Sequence, residues 1–301
     1  MTHLLTTKLV SIIGAFFGGL ATLLRSGEGY ELLKVNGGKG TVQGDVFSAN
    51  SLLRSAMSAL SPSPHIVLQQ AVDRLYVTFG AYPLTSLDGC PCCVSVADKG
   101  QVTHRALREL TEQDLGRYAG KAMTTWGTVE DFKHFLPRLF ELTAAFRAPY
   151  EEYIVFSKLD YGHWRTWPPL EIEAIEQYLL ALWDVVLISE AWQFRDYFTA
   201  LAGIYPHFDE LLQHWEAATA PEVWALLGEE VYYHSESIFR DKYFHGPFLM
   251  SPQLSQRFRT WVTSQPVRDK LLTAFSQCAE EAAEKLGLAY DLIDCEIKYK
   301  R

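Results

Sequence analysis

Three of the five cysteines in this 301-residue chain fall within four residues, in Gly89-Cys90-Pro91-Cys92-Cys93. Thiols this close together can hold a soft metal ion, work as a redox dithiol or simply shape a turn, whereas a lone cysteine is an ordinary small hydrophobe. Cys90 and Cys93 stand in the C-x-x-C relation that lets a tight turn present two sulfurs to one ion. Cys92 is either a third donor or a spare thiol, and His104 further along is a candidate further ligand. The set Cys90, Cys92, Cys93 and His104 suits zinc, which takes thiolate and imidazole ligands in a tetrahedron. A second C-x-x-C is missing, because Cys278 and Cys295 belong to the C-terminal region, one expected in its helix and one beyond it.

Cys90-Pro91-Cys92-Cys93 resembles the C-P-x-C of glutaredoxins, in which a helix N-terminus stabilises the first thiolate. That resemblance implies a redox dithiol. The surroundings differ: a glutaredoxin motif follows a buried strand and opens an apolar helix, while Val94-Ser95-Val96-Ala97-Asp98-Lys99-Gly100 reads as a short extended piece and a turn. The tetrapeptide is also similar to small bacterial CPCC cysteine-rich proteins, whose downstream second cysteine pair has no counterpart here. Both resemblances end with these few residues, and they assign no family.

Four histidines follow an acid by one helical turn: Glu130 and His134, Glu210 and His214, Glu230 and His234, Asp241 and His245. Composition alone gives roughly one such pair. On a helix the spacing sets carboxylate and imidazole on one face, as helical metal sites and acid/base dyads require. The same spacing also produces plain surface pairs worth about 0.2 to 0.5 kcal/mol each. Glu229-Glu230-Val231-Tyr232-Tyr233-His234-Ser235-Glu236 is the densest titratable patch, with Glu-x-x-x-His rather than the Glu-x-x-His of di-iron bundles. For Glu230 and His234 to form an active site, another pair must converge on them, since one pair completes neither a metal sphere nor a triad. The Tyr161–Pro169 stretch, with Trp164 and Trp167, is an aromatic loop that either holds a ligand or packs beneath itself.

No G-x-S-x-G, H-E-x-x-H, kinase set or dinucleotide fingerprint occurs, and Gly38-Lys39-Gly40-Thr41 fails the phosphate-loop spacing. The formal charge of -9 argues against a nucleic-acid partner, which would need clustered Lys and Arg. Only Lys298-Tyr299-Lys300-Arg301 forms a basic cluster. Five unevenly placed cysteines make no disulfide framework, and this fits a reducing cytoplasm.

These residues need elements to position them. Residues 9–24 carry no charge and lie between Lys8 and Arg25, with Gly14 and Gly18 in a G-x-x-x-G. As a helix they reach about 24 Å, short of the roughly 30 Å of a bilayer core. A helix covered by protein, a membrane-associated helix and a signal peptide are the three readings of this segment. Next come two extended runs about Asn36–Gly40, expected as a hairpin, and a short helix over Ser48–Leu60. Ser61-Pro62-Ser63-Pro64 then sets a boundary between an N-terminal appendage, 1–62, and a main domain, 63–301.

Beyond the boundary the apolar spacing is helical nearly throughout. The first helix has Ile66, Leu68, Val72, Leu75, Tyr76 and Phe79 on one face, and the Cys loop fills 80–103. Thr111-x-x-Asp114 and Thr128-x-x-Asp131 read as capping boxes opening two helices; Pro137 predicts a kink in the second. Further helices are expected over 170–188, 190–202, 208–217, 221–243, 252–263 and 266–286. The fold class is all-α: an irregular multi-helix bundle or a solenoid-like array of helix pairs, with the Cys loop set into it. The leading functional expectation is a non-catalytic interaction protein, cytoplasmic, with a zinc-stapled Cys loop and a protein partner. The alternatives are a metal-dependent enzyme built on Glu230 and His234, and a factor tethered to a membrane by residues 9–24.

Overall fold

The structure is a computed structural model that describes residues 21–26, 29–34, 62–84, 87–189, 191–246 and 249–299. The chain divides into two units, Met1–Pro62 and Ser63–Arg301. In the first, β1 (Ala21–Ser26) pairs antiparallel with β2 (Gly29–Lys34), Ser26 opposite Gly29 and Ala21 opposite Lys34. This corrects one expectation: Ala21–Leu24 form a strand instead of the end of an apolar helix, and the run from Tyr30 pairs with the segment before it. Residues 9–20, the Asn36–Gly40 turn and the Ser48–Leu60 helix lie outside the described residues.

The second unit is all-helical among its described residues. Its helices are α1 (Pro64–Phe79), α2 (Val96–Thr103), α3 (Glu112–Lys121), α4 (Val129–Ala144), α5 (Glu152–Tyr161) and α6 (Pro169–Val186). They continue as α7 (Ala191–Ile204), α8 (Phe208–Ala217), α9 (Pro221–Phe239), α10 (Pro252–Val262), α11 (Gln265–Phe275) and α12 (Glu280–Tyr299). None of the described helices is long and apolar enough to cross a membrane.

Both expected capping boxes form, each Thr hydroxyl accepting from the backbone N–H of its Asp while that carboxylate accepts from the Thr N–H. α1 turns Leu68, Val72, Leu75 and Phe79 inward and leaves Ile66 exposed. It packs on α4 and α6, far along the chain, which makes the fold an irregular bundle and not an array in which each unit meets only its neighbours. α7 contacts α5, α6 and α9, while α9 is covered by α11 and α12. At the centre, Phe198 meets Trp183, Trp215, Tyr243, Phe244 and Phe258 with ring centroids 5.1 to 6.1 Å apart, within the range that aromatic pairs favour.

Two boundaries differ from the sequence reading in ways that matter for the cysteines. The single helix expected over 266–286 is two helices, α11 and α12, and Cys278 sits in the turn between them with its Sγ 3.6 Å from the Pro221 carbonyl oxygen. Within the expected loop over 80–103, residues 96–103 form α2. Ser95 caps it, its hydroxyl accepting from the Asp98 N–H while the Asp98 carboxylate accepts from the Ser95 N–H. The Ser-x-x-Asp signal outweighs the glycine at position 100, which lies in open space on the helix surface.

Candidate metal centre

The Cys turn is built between α1 and α3. Gly89 pairs with Trp126, the Cys90 N–H donates to the Thr125 carbonyl oxygen (2.8 Å), and the Gly127 N–H donates to that of Asp88 (2.7 Å). Gly127 manages this at φ 76°, a conformation that glycine adopts without strain. Gly89 is needed too, because a Cβ there would lie 2.9 Å from the Val94 side chain. After Pro91 the chain turns back: the N–H groups of Cys93 and Val94 both donate to the Cys90 carbonyl oxygen at 2.9 Å. The turn is fastened to α3 from the other side. The Lys121 ammonium donates to the Cys93 carbonyl oxygen, and Arg117 pairs with Asp98 at 2.8 Å.

This backbone brings the sulfurs of Cys90, Cys92 and Cys93 within 4.8 Å of one another, with 2.9 Å between Cys90 and Cys92 and 3.6 Å between Cys92 and Cys93. Zinc–sulfur bonds of about 2.3 Å in a tetrahedron set sulfurs about 3.8 Å apart, so sulfur movements of about 1 Å convert this cluster into three corners of such a site. All five cysteines are free thiols. The Cys90 thiol is pulled below its ordinary value by hydrogen bonds from the Cys92 thiol and from the backbone N–H groups of Cys92 and Cys93. Cys92, between two sulfurs that compete for the charge, is pushed up to about 11. A metal ion on this cluster would be bound with loss of the thiol protons.

His104 is not a member of this group. It lies at the far end of α2, whose eight residues span about 12 Å, and its Nδ1 is 2.6 Å from the Gln101 carbonyl oxygen. Cys295 is exposed on α12. The three cysteines are the one group of three or more His, Cys, Asp or Glu side chains gathered closely enough for a metal among the described residues.

None of the four acid and histidine spacings becomes a pair. His134 Nδ1 lies 2.8 Å from the Tyr82 carbonyl oxygen while Glu130 is exposed. His214 pairs with Asp184 of α6 at 2.7 Å, leaving Glu210 to accept from the Tyr205 hydroxyl. Asp241 pairs with Arg259 at 3.1 Å, and His245 is exposed. In α9 the ring of His234 sits at a break in the helix, φ -125° and ψ 15°. Glu230 is buried and accepts from the Tyr243 hydroxyl.

Burial pushes the Glu230 carboxyl up, opposed by the Tyr243 hydrogen bond and the charge of Arg195. A carboxyl whose folded value is raised contributes stability below its ordinary value of about 4.5 and loses it as pH rises through the folded value. Glu230→Gln is therefore expected to flatten the pH dependence of unfolding above pH 4.5, with urea midpoints across pH 4 to 8 as the readout. An unchanged pH profile would show that Glu230 titrates as it does in the unfolded chain.

The aromatic loop packs beneath itself. Trp164 and Trp167 are buried, and their indole N–H groups donate to Asp160 and to the Gly162 carbonyl oxygen. Only a shallow polar hollow remains there, lined by Asp160, His163, Trp164, Arg165 and Thr166.

No known protein family, curated protein or solved structure matches the chain.

Proposed function

We propose that this chain is a non-catalytic helical interaction protein whose Cys loop is closed by one zinc ion on Cys90, Cys92 and Cys93. The observation that carries the reading is the meeting of three sulfurs within 4.8 Å on a turn fastened to α3. The segment between α1 and α3 buries few apolar side chains, chiefly Leu87, Val94, Val102 and Leu110. An ion on these three sulfurs would fix the Cys90–Cys93 turn itself, while α2 rests on its own capping box and on the Arg117–Asp98 pair with α3. Three thiolates donate enough charge to blunt the Lewis acidity of zinc, which favours a structural ion over a hydrolytic one. The separation of the acid and histidine residues supports the non-catalytic side of the reading. Free thiols and a net charge of -9 favour a protein partner in the reducing cytoplasm.

Protein purified without chelators from a reducing host is expected to carry about one zinc per chain by elemental analysis. Chelation should then speed hydrogen exchange at the Cys93 and Val94 amides while sparing the amides of α6. Metal-free protein whose loop exchange ignores both chelator and added zinc would overturn the proposal.

A further inference from the structure

We infer that the turn of Cys90, Cys92 and Cys93 also takes up trivalent arsenic as a pyramidal trithiolate, one arsenic atom bonded to all three sulfurs. The inference goes beyond the zinc reading, using the same three donors without requiring zinc. In neutral water trivalent arsenic is arsenous acid, with three hydroxyl groups on one arsenic. Each thiol that reacts forms one arsenic–sulfur bond, breaks one arsenic–oxygen bond and gives its proton to the departing hydroxide as water. Three thiols therefore yield a neutral trithiolate and three waters, with no change of oxidation state and no further reactant.

Thiolates suit soft centres, and geometry suits them here to this one. Trivalent arsenic needs only three donors, because a lone pair fills the side opposite its bonds. All three sulfurs come from four consecutive residues and lie within 4.8 Å of one another, so they reach one atom from one side and complete the pyramid among themselves. With bonds about as long as zinc–sulfur bonds, roughly 2.3 Å, and angles little wider than a right angle, such a pyramid holds its sulfurs about 3.4 Å apart. The sulfurs are 2.9 Å apart at Cys90 and Cys92 and 3.6 Å apart at Cys92 and Cys93, on either side of that spacing. A zinc tetrahedron would spread them further. Cys92 is exposed and receives the incoming acid, while Cys90 and Cys93 are half-buried beside it, all three as free thiols. The Cys90 N–H is held by the Thr125 carbonyl oxygen, and the Cys93 and Val94 N–H groups close on the Cys90 carbonyl oxygen. After the first bond the other two are intramolecular, at an effective concentration that separate thiols do not reach.

Mass spectrometry of the intact, reduced full chain under native conditions, titrated with arsenite, tests the inference. The expected adduct is one arsenic per chain with three hydrogens lost and no hydroxyl retained, and arsenite should displace zinc from the zinc-loaded chain. Cys90→Ser, Cys92→Ser and Cys93→Ser should each give a two-sulfur adduct that keeps one hydroxyl and binds about 100-fold more weakly, since one intramolecular bond is lost. Cys278→Ser and Cys295→Ser should bind as the wild type does, both thiols lying outside the cluster. A wild-type adduct that keeps a hydroxyl, or no adduct at all, overturns the inference, and so does loss of binding on replacing Cys278 or Cys295. The wild-type mass decides the matter even where a variant fails to fold. Uptake of zinc without arsenic overturns this inference and leaves the zinc reading standing; uptake of arsenic without zinc does the reverse.

Discussion

Cys90→Ser is expected to lower zinc affinity by about 100-fold or more, since removing a direct ligand should exceed the 10- to 100-fold typical of losing an outer-shell partner. Cys90 is a clustered sulfur whose carbonyl oxygen also closes the turn, accepting from the Cys93 and Val94 N–H groups. A serine hydroxyl cannot replace it, being a hard donor that stays protonated at neutral pH. Cys278→Ser and Cys295→Ser are the controls: one thiol sits in the turn between α11 and α12, the other on α12, and neither joins the cluster. The structural consequence should stay local. The Cys segment is held by α3 through Arg117 and Lys121, while the bulk of the apolar core lies in other helices, so the stretch can open without global unfolding. Competition against a chromophoric chelator reads the affinity, and hydrogen exchange reads the opening. Equal zinc retention by Cys90→Ser and wild type would leave these sulfurs as residues of a turn.

What was legible in the chain follows from how local each determinant is. Capping boxes are written in four consecutive residues, and the Thr111 and Thr128 boxes were read correctly for that reason. The same device at Ser95 is less legible because Val94, Ser95 and Val96 look extended beside a glycine, although Ser95 and Asp98 carry the signal. The thiol cluster was visible because its donors are adjacent; only the fold could show that α2 carries His104 away from them. Histidine partners were the least legible feature. Asp184 reaches His214 from 30 residues away, and a carboxylate one turn upstream says nothing about that packing. The break in α9 fell at His234 without a proline or glycine beside it, whereas Pro137 lies inside the unbroken span of α4.

The largest stability effect is expected from Lys133→Met. Lys133 and Glu171 are buried partners, Nζ to Oε2 2.7 Å, joining α4 to α6. The Tyr82 hydroxyl donates to the other carboxylate oxygen at 2.6 Å, and the ammonium lies 4.3 Å from the centre of the Trp167 ring. Burial pulls the Lys133 amine down, but hydrogen bonds with Glu171 and Tyr82 outweigh it and hold the group above its ordinary value. Its contribution is therefore fully present below pH 10.5 and is lost as pH rises through the folded value, outside the physiological range. Removing the amine strands a buried carboxylate, which costs roughly 3 to 5 kcal/mol. For a unit of this size that is a fall of roughly 6 to 20 °C in Tm. Replacing both partners, Lys133→Met with Glu171→Leu, should recover most of the loss, because two apolar side chains leave no charge to solvate. Additive losses in the double variant would mean that the pair acts through packing alone. Tyr82 begins the segment that leads to the Cys turn, and its carbonyl oxygen also meets His134, so this cluster is the upstream anchor of the loop. Zinc affinity should nonetheless survive Lys133→Met at temperatures where the variant is folded, since every sulfur donor lies beyond that anchor and is held by α3.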